Sequence, residues 1–216
     1  MSAAGARAST VLVVDDHALV ACAIALALRG VGIAAAALPP SRVGELVGRR
    51  APAGGLVLLD LDRGQDAVAM VARLRRAGWR VLLVTDDTDE TPAAMAVAAG
   101  AAGRVLKSRP FEDLVRVATR VAEGKPALSV QERTRLLAVA ESARTGARRE
   151  HDRWARLTPR ERQVVDRIAA GRRPAAIAEE FVVSLATVRS HIRSILTKLG
   201  VGSQLEVAAL ARARGA

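Results

Sequence analysis

Aromatic residues are nearly missing from this chain: two Phe, two Trp and no Tyr stand among 216 residues. Any core must therefore be assembled from Ala, Val, Leu and Ile. Cysteine is equally scarce. The single Cys22 rules out an intrachain disulfide and makes a reducing compartment, the cytoplasm, the expected home. Lying among alanines, Cys22 reads as a small core residue. His191 has no second His or Cys at metal-ligand spacing, so zinc is not expected. Long hydrophobic runs are absent too. The apolar stretch from Ala18 to Leu28 is too short to span a bilayer, and Asp15, Asp16 and His17 before it are a poor lead-in for a secretory signal. It reads as a buried helix, with no membrane partner.

What the chain does hold is positive charge, +11 in all. The distribution is uneven: residues 1–125 carry 16 basic and 13 acidic side chains, residues 126–216 carry 17 and 9. An excess confined to one end is what phosphate binding by that end requires. The length suits one or two domains.

The first 124 residues alternate apolar runs with helical patterns. Thr10–His17, Gly32–Leu38, Gly55–Asp62, Trp79–Asp87 and Ala102–Ser108 read as strands, each followed by a helix. Five such alternations predict an α/β doubly wound, five-stranded parallel sheet covered on both faces. Functional groups of such sheets gather beyond the carboxyl ends of the strands. Those ends carry Asp15, Asp16, Asp60, Thr85 and Lys107. Three converging carboxylates repel one another unless a divalent cation lies between them, and oxygen ligands favour Mg²⁺. A lysine and a hydroxyl complete a site suited to a phosphoryl group on one carboxylate.

This constellation resembles the flavodoxin-like receiver domain of two-component response regulators, over residues 9–124. The resemblance implies Asp60 as phosphoacceptor, with Asp15, Asp16 and Asp60 as metal ligands and the Asp62 carbonyl as a further one. It also implies Thr85 as the switch hydroxyl, Lys107 as the phosphate-facing cation, and a sensor histidine kinase as partner. Some positions depart from the receiver pattern. Asp60 is followed by LDRGQDA in place of the usual Met-Pro and Gly. Asp86 and Asp87 follow the switch threonine where a small residue is usual. Arg104 stands at the switch aromatic, where it cannot rotate into an apolar slot and would pair with Asp86 or Asp87. These departures set phosphorylation of Asp60 against a second reading, a phosphorylation-independent receiver acting as an interaction or ligand module.

Residues 125–155 are rich in Arg and Glu and read as a linker, partly helical, with Gly146 as its weak point. Trp154, at the end of this linker, should pack against the C-terminal domain. From Leu157 the pattern is all-α. TPRE (Thr158–Glu161) is a capping box with Pro159 in the first helical turn. Pro174–Phe181 is a short helix, and VVS leads into a longer one capped by Ser184 and stopped by Gly200. Val188, Ile192, Ile195, Leu196 and Leu199 form an apolar stripe, with Arg189, Ser190 and Arg193 opposite. A short helix, tight turn and longer basic helix make a helix-turn-helix.

Leu157–Ala213 resembles the LuxR-type DNA-binding domain, four helices with the third in the major groove, here over 156–216. The resemblance implies double-stranded DNA as partner, with base contacts from Arg189, Ser190 and Arg193 and phosphate contacts from Thr187 and Lys198. It also implies a homodimer paired through Leu205, Val207, Ala208 and Leu210 of the last helix. A receiver followed by such a domain is the layout of NarL/FixJ-type response regulators, non-enzymatic transcription factors in which the receiver controls dimerisation or DNA access. One enzyme reading competes: LLDLDRG (Leu58–Gly64) looks like the DxD motif of haloacid-dehalogenase-type, Mg²⁺-dependent phosphatases, though it ends the third strand where that family uses the first.

Overall fold

Five short, mainly apolar runs become five parallel strands: β1 (Val11–Val14), β2 (Ala35–Leu38), β3 (Leu56–Asp60), β4 (Arg80–Thr85) and β5 (Gly103–Leu106). They lie in the order β2-β1-β3-β4-β5. The computed structural model describes residues 10–60, 67–86 and 88–215, and its contacts divide the chain into two units between Ala143 and Arg144.

The sheet is buried on both faces because its side chains alternate between two cores. Leu56 and Leu58 of β3 and Leu82 and Val84 of β4 point into one, with α1 (Ala18–Gly30) and α5 (Phe111–Ala122). Val57, Leu59, Val81 and Leu83 point into the other, with α2 (Val43–Val47), α3 (Ala67–Arg76) and α4 (Glu90–Ala98). A two-residue period through strands whose central residues are apolar gives this arrangement. A turn of 3-10 helix, Pro40–Arg42, precedes α2. Both cores are almost wholly aliphatic. Trp79 is the exception: its ring is buried in the second core and its indole N–H donates to the Leu46 carbonyl at 3.3 Å. Cys22 is not a core residue. The buried face of α1 is Ala21, Ile24, Ala25 and Leu28, and Cys22 falls on the outer side of that helix, exposed.

The segment expected to be a partial helix is a single one, α6 (Val130–Ala155), running through Gly146. Its first half belongs to the sheet unit, where Leu136 and Ala140 join the second core. Ahead of it, Ala127 and Leu128 press on β5. A Cβ on Gly103 would stand 2.9 Å from each of them, so only glycine lets that chain crossing close.

The second unit is α7 (Pro159–Ala169), α8 (Pro174–Phe181), α9 (Leu185–Leu199) and α10 (Gln204–Ala213) around one core that includes Val164, Ile177, Val188, Ile195 and Val207. Trp154 packs against it. Among the described residues no helix is long and apolar enough to cross a membrane.

Candidate nucleic-acid interface and acidic pocket

Serine caps α9: the Ser184 hydroxyl accepts from the Thr187 amide at 3.0 Å. At the other end Gly200 takes a left-handed φ of 70° and its N–H closes on the Leu196 carbonyl at 2.9 Å. Between the caps Val188, Ile192, Ile195 and Leu199 are buried, which turns Arg189, Ser190 and Arg193 outward, all three exposed. Thr187 is exposed as well, one turn nearer the N-terminus. The turn between α8 and α9 passes through Val182, which has φ 54° and ψ 47° and is 90% exposed. A β-branched residue in the left-handed region is strained.

Lys198, near the end of α9, has a partner inside the unit. Its Nζ donates to both carboxylate oxygens of Glu161, at 2.8 and 2.7 Å, while its side chain stays 30% exposed. Glu161 also accepts from the Ser194 hydroxyl at 2.6 Å and the Thr158 amide at 2.7 Å. Burial works against the Glu161 anion, yet the bonds from Lys198, Ser194 and Thr158 prevail and hold its pKa down at about 2. The capping box announces Glu161, but nothing in local spacing reveals partners 33 and 37 residues away.

The last helix also needs a correction. Val207 and Ala208 are buried in their own unit's core, so they cannot be the contact surface of a second copy. Leu205 is 78% exposed, and Leu210 is half-buried.

In the first unit, register brings the strand-end residues together. Val14 pairs with Leu59 and Asp60 with Val84, so Asp15 and Asp60 emerge side by side from β1 and β3. Asp15 and Thr85 are buried, and Asp60 is mostly so. Lys107 Nζ bridges the carboxylates, 2.9 Å from Asp15 Oδ2 and 2.7 Å from Asp60 Oδ2. Burial raises the Asp60 pKa, aided by the charges of Asp15 and Asp16, while Lys107 opposes the rise. Burial disfavours the Lys107 ammonium, but its two carboxylate partners win and raise its pKa. His17 binds Asp16 at 2.7 Å, and that contact raises the imidazole pKa. One ligand atom from each of Asp15, Asp16, His17 and Asp60 lies within 4.8 Å of the others. Asp62, the further metal ligand, and Asp87 lie outside the described residues.

Arg104 does not pair with Asp86. Its Nη2 donates to Oε1 of Glu90 on α4, and Arg135 of α6 grips the same carboxylate with both terminal nitrogens, Nη2 to Oε1 at 2.8 Å. Asp86 is exposed.

The chain has relatives among known proteins. The family of bacterial regulatory proteins called the luxR family matches residues 155–211. Over 205 residues the chain is 32% identical to the probable transcriptional regulatory protein NarL of Mycobacterium tuberculosis, covering 90% of this chain and 89% of that one. The chain belongs to the NarL-type response regulators. A second member, the nitrate/nitrite response regulator protein NarL of Escherichia coli, is 30% identical over 156 residues, 71% of each chain. Among solved structures, the response regulator ChrA of a heme-sensing two-component system aligns at a TM-score of 0.48 and 26% identity, over 96% of this chain and 98% of that one. The NarL type pairs a receiver with a luxR-family helix-turn-helix and is a class of DNA-binding transcriptional regulator. The phosphatase reading of Leu58–Gly64 finds no support in these matches.

Proposed function

We propose that this NarL-type regulator reads double-stranded DNA with α9, as a cytoplasmic homodimer, through Arg189, Ser190 and Arg193. Its layout is a receiver over 9–124, a connecting segment over 125–155 and a DNA-binding domain over 156–216. The observation that carries the reading is the exposed stripe itself. Three polar side chains stand on one face of a helix whose other face is locked into a core, at the end of the chain that holds the basic excess. Arginine pairs bidentately with guanine edges, whereas Thr187 at the first turn suits a backbone phosphate. Replacing Arg193 with Ala should weaken binding to the specific site by about 1–3 kcal/mol and relax base preference at one position. Fluorescence anisotropy on the specific site and on random DNA checks it. An equal loss on both would reassign Arg193 to a phosphate.

In the receiver, the oxygen donors of Asp15, Asp16 and Asp60 fit a hard divalent ion such as Mg²⁺. The ion would supply charge neutralisation for a phosphoryl group on Asp60. Around it, Lys107 already bridges Asp15 and Asp60, and Thr85 stands at the end of β4. A sensor histidine kinase is the corresponding partner.

A second reading, a receiver switched by contact or ligand and not by phosphate, is favoured by Arg104. The position that would rotate inward on phosphorylation is occupied by a guanidinium tied to Glu90, and such a group gains nothing from an apolar slot.

A further inference from the structure

Residues 127–143 cross the receiver before the chain enters its second unit, and they hold on at few points. Ala127 and Leu128 press on Gly103 of β5. Ser129 and Glu132 then start α6 with a reciprocal cap. The Ser129 hydroxyl accepts from the Glu132 amide at 3.1 Å, and the Glu132 carboxylate accepts from the Ser129 amide at 3.0 Å. From there to Ala143 only Leu136 and Ala140 are buried, with Val139 partly covered beside them. Val130, 84% exposed, and Leu137 stand outside. Two buried residues four apart make a seam narrower than the stripe that normally seats a helix. The same stretch has one polar hold. Arg135 donates to Glu90 from both terminal nitrogens, and Arg104 donates to Glu90 Oε1 from Nη2. Two guanidinium groups on one carboxylate leave a net positive triad, which the shared Glu90 alone makes tolerable. Arg104 Nη1 is buried with no hydrogen-bond partner among the described residues, a cost at the foot of that triad. Both receiver ends of the hold stand close in sequence to the acidic pocket: Glu90 follows Thr85 by five residues, and Arg104 precedes Lys107 by three.

We propose that residues 127–143 are a releasable strap, held shut on the receiver by Glu90, and that its release is a conformational output of this receiver. Closed, the strap rests on β5 at Gly103 and on α4 at Glu90, and the first half of α6 is fixed. Released, the same residues pass to the tether of the second unit, which gains reach with no change in its own fold. Glu90 is the keystone because it is shared. Losing Arg135 leaves a neutral pair, Arg104 with Glu90. Losing the Glu90 charge leaves two cations facing each other across the seam. An input at the pocket end of β4 or β5 has only to move Glu90 or Arg104 to open the strap. The proposal does not depend on DNA reading by α9, and it supplies the moving part for a receiver switched by contact.

The test labels a buried thiol on the strap of the full chain. Cys22 is exposed and is the only cysteine, so Cys22→Ser removes the background. On that chain Ala140→Cys places a thiol in the seam, where the alanine is fully buried. Ala25→Cys places one in the core under α1, as a clock for unfolding of the whole receiver. With an aromatic disulfide reagent in excess, Ala140→Cys should react about tenfold or more faster than Ala25→Cys, since local opening needs less free energy than global unfolding. Val139→Cys, near-isosteric and partly covered, gives the same comparison if the alanine site does not accept sulfur. Adding Arg135→Gln should speed labelling in the seam about two- to fivefold, as expected for a half-exposed ion pair. Glu90→Gln should speed it about tenfold or more, with Ala25→Cys unchanged in both. Glu90→Gln combined with Arg135→Gln should label more slowly than Glu90→Gln alone, because the cation facing Arg104 has gone. Equal rates at the two thiols, an effect of Arg135→Gln as large as that of Glu90→Gln, or a double variant no slower than Glu90→Gln would overturn the proposal.

Discussion

Lys198 Nζ sits 2.7 Å from Glu161 Oε2, joining the last turn of α9 to the first turn of α7. The carboxylate is buried and its pKa is held at about 2, against an ordinary 4.5. A group depressed in the folded state adds stability that is complete above its unfolded value and fades as pH falls toward the folded one. The DNA-binding unit should therefore lose stability between about pH 4.5 and pH 2, by roughly 2–3 kcal/mol with Lys198 partly solvated. Glu161→Gln should be less stable at pH 7 and show a flatter profile across that window. Urea unfolding followed through Trp154, at a series of pH values, measures both.

Val182 offers the opposite case, a site where change should help. Its left-handed backbone costs a β-branched residue about 1 kcal/mol or more, and its side chain contacts little, being 90% exposed. Val182→Asn should raise the unfolding midpoint of the DNA-binding unit, because asparagine tolerates that region. A midpoint lower than wild type would mean that the valine side chain has a packing role.

Leu205 and Val207 separate pairing from folding. Leu205→Asp should leave thermal stability near wild type and reduce binding to a full inverted repeat toward that of a half-site. Val207→Asp should unfold the domain, since a carboxylate would enter a fully buried position. Circular dichroism and gel shifts on paired and single half-sites distinguish them. Equal half-site and full-site affinity in the wild type would remove the dimer.

Asp60 should be phosphorylated poorly by acetyl phosphate and Mg²⁺. A phosphoryl group adds nearly two negative charges, and Lys107 is already shared between Asp15 and Asp60. Asp86 adds a carboxylate just beyond the end of β4, exposed and so partly screened. Asp86→Ala and Asp86→Gly should gain phosphorylation, read by intact mass. Rapid and near-complete modification of the wild type would sink the expectation.

Much of this architecture is legible in local pattern. The five strands and the helix-turn-helix follow from two- and 3.6-residue periods, and the caps at Thr158, Ser184 and Gly200 stand where their residue types put them. The convergence of Asp15, Asp16, Asp60, Thr85 and Lys107 follows from strand order. The partners of long charged side chains are not legible in the same way. Lys198 and Arg104 each find a carboxylate elsewhere in the chain, Glu161 and Glu90, that no periodicity encodes. The same limit hides the face of α10. Val207 and Ala208 are apolar whether they meet a second copy or α7, and only packing decides.

The scarcity of aromatics leaves one tryptophan in each unit, Trp79 sealed in the sheet core and Trp154 beside the helical one, its ring 5.2 Å from the Arg214 guanidinium. With no tyrosine to blur the emission, this chain carries two separately addressable optical reporters. Replacing either with Phe leaves a single-site probe of what the other half of the molecule feels when DNA arrives.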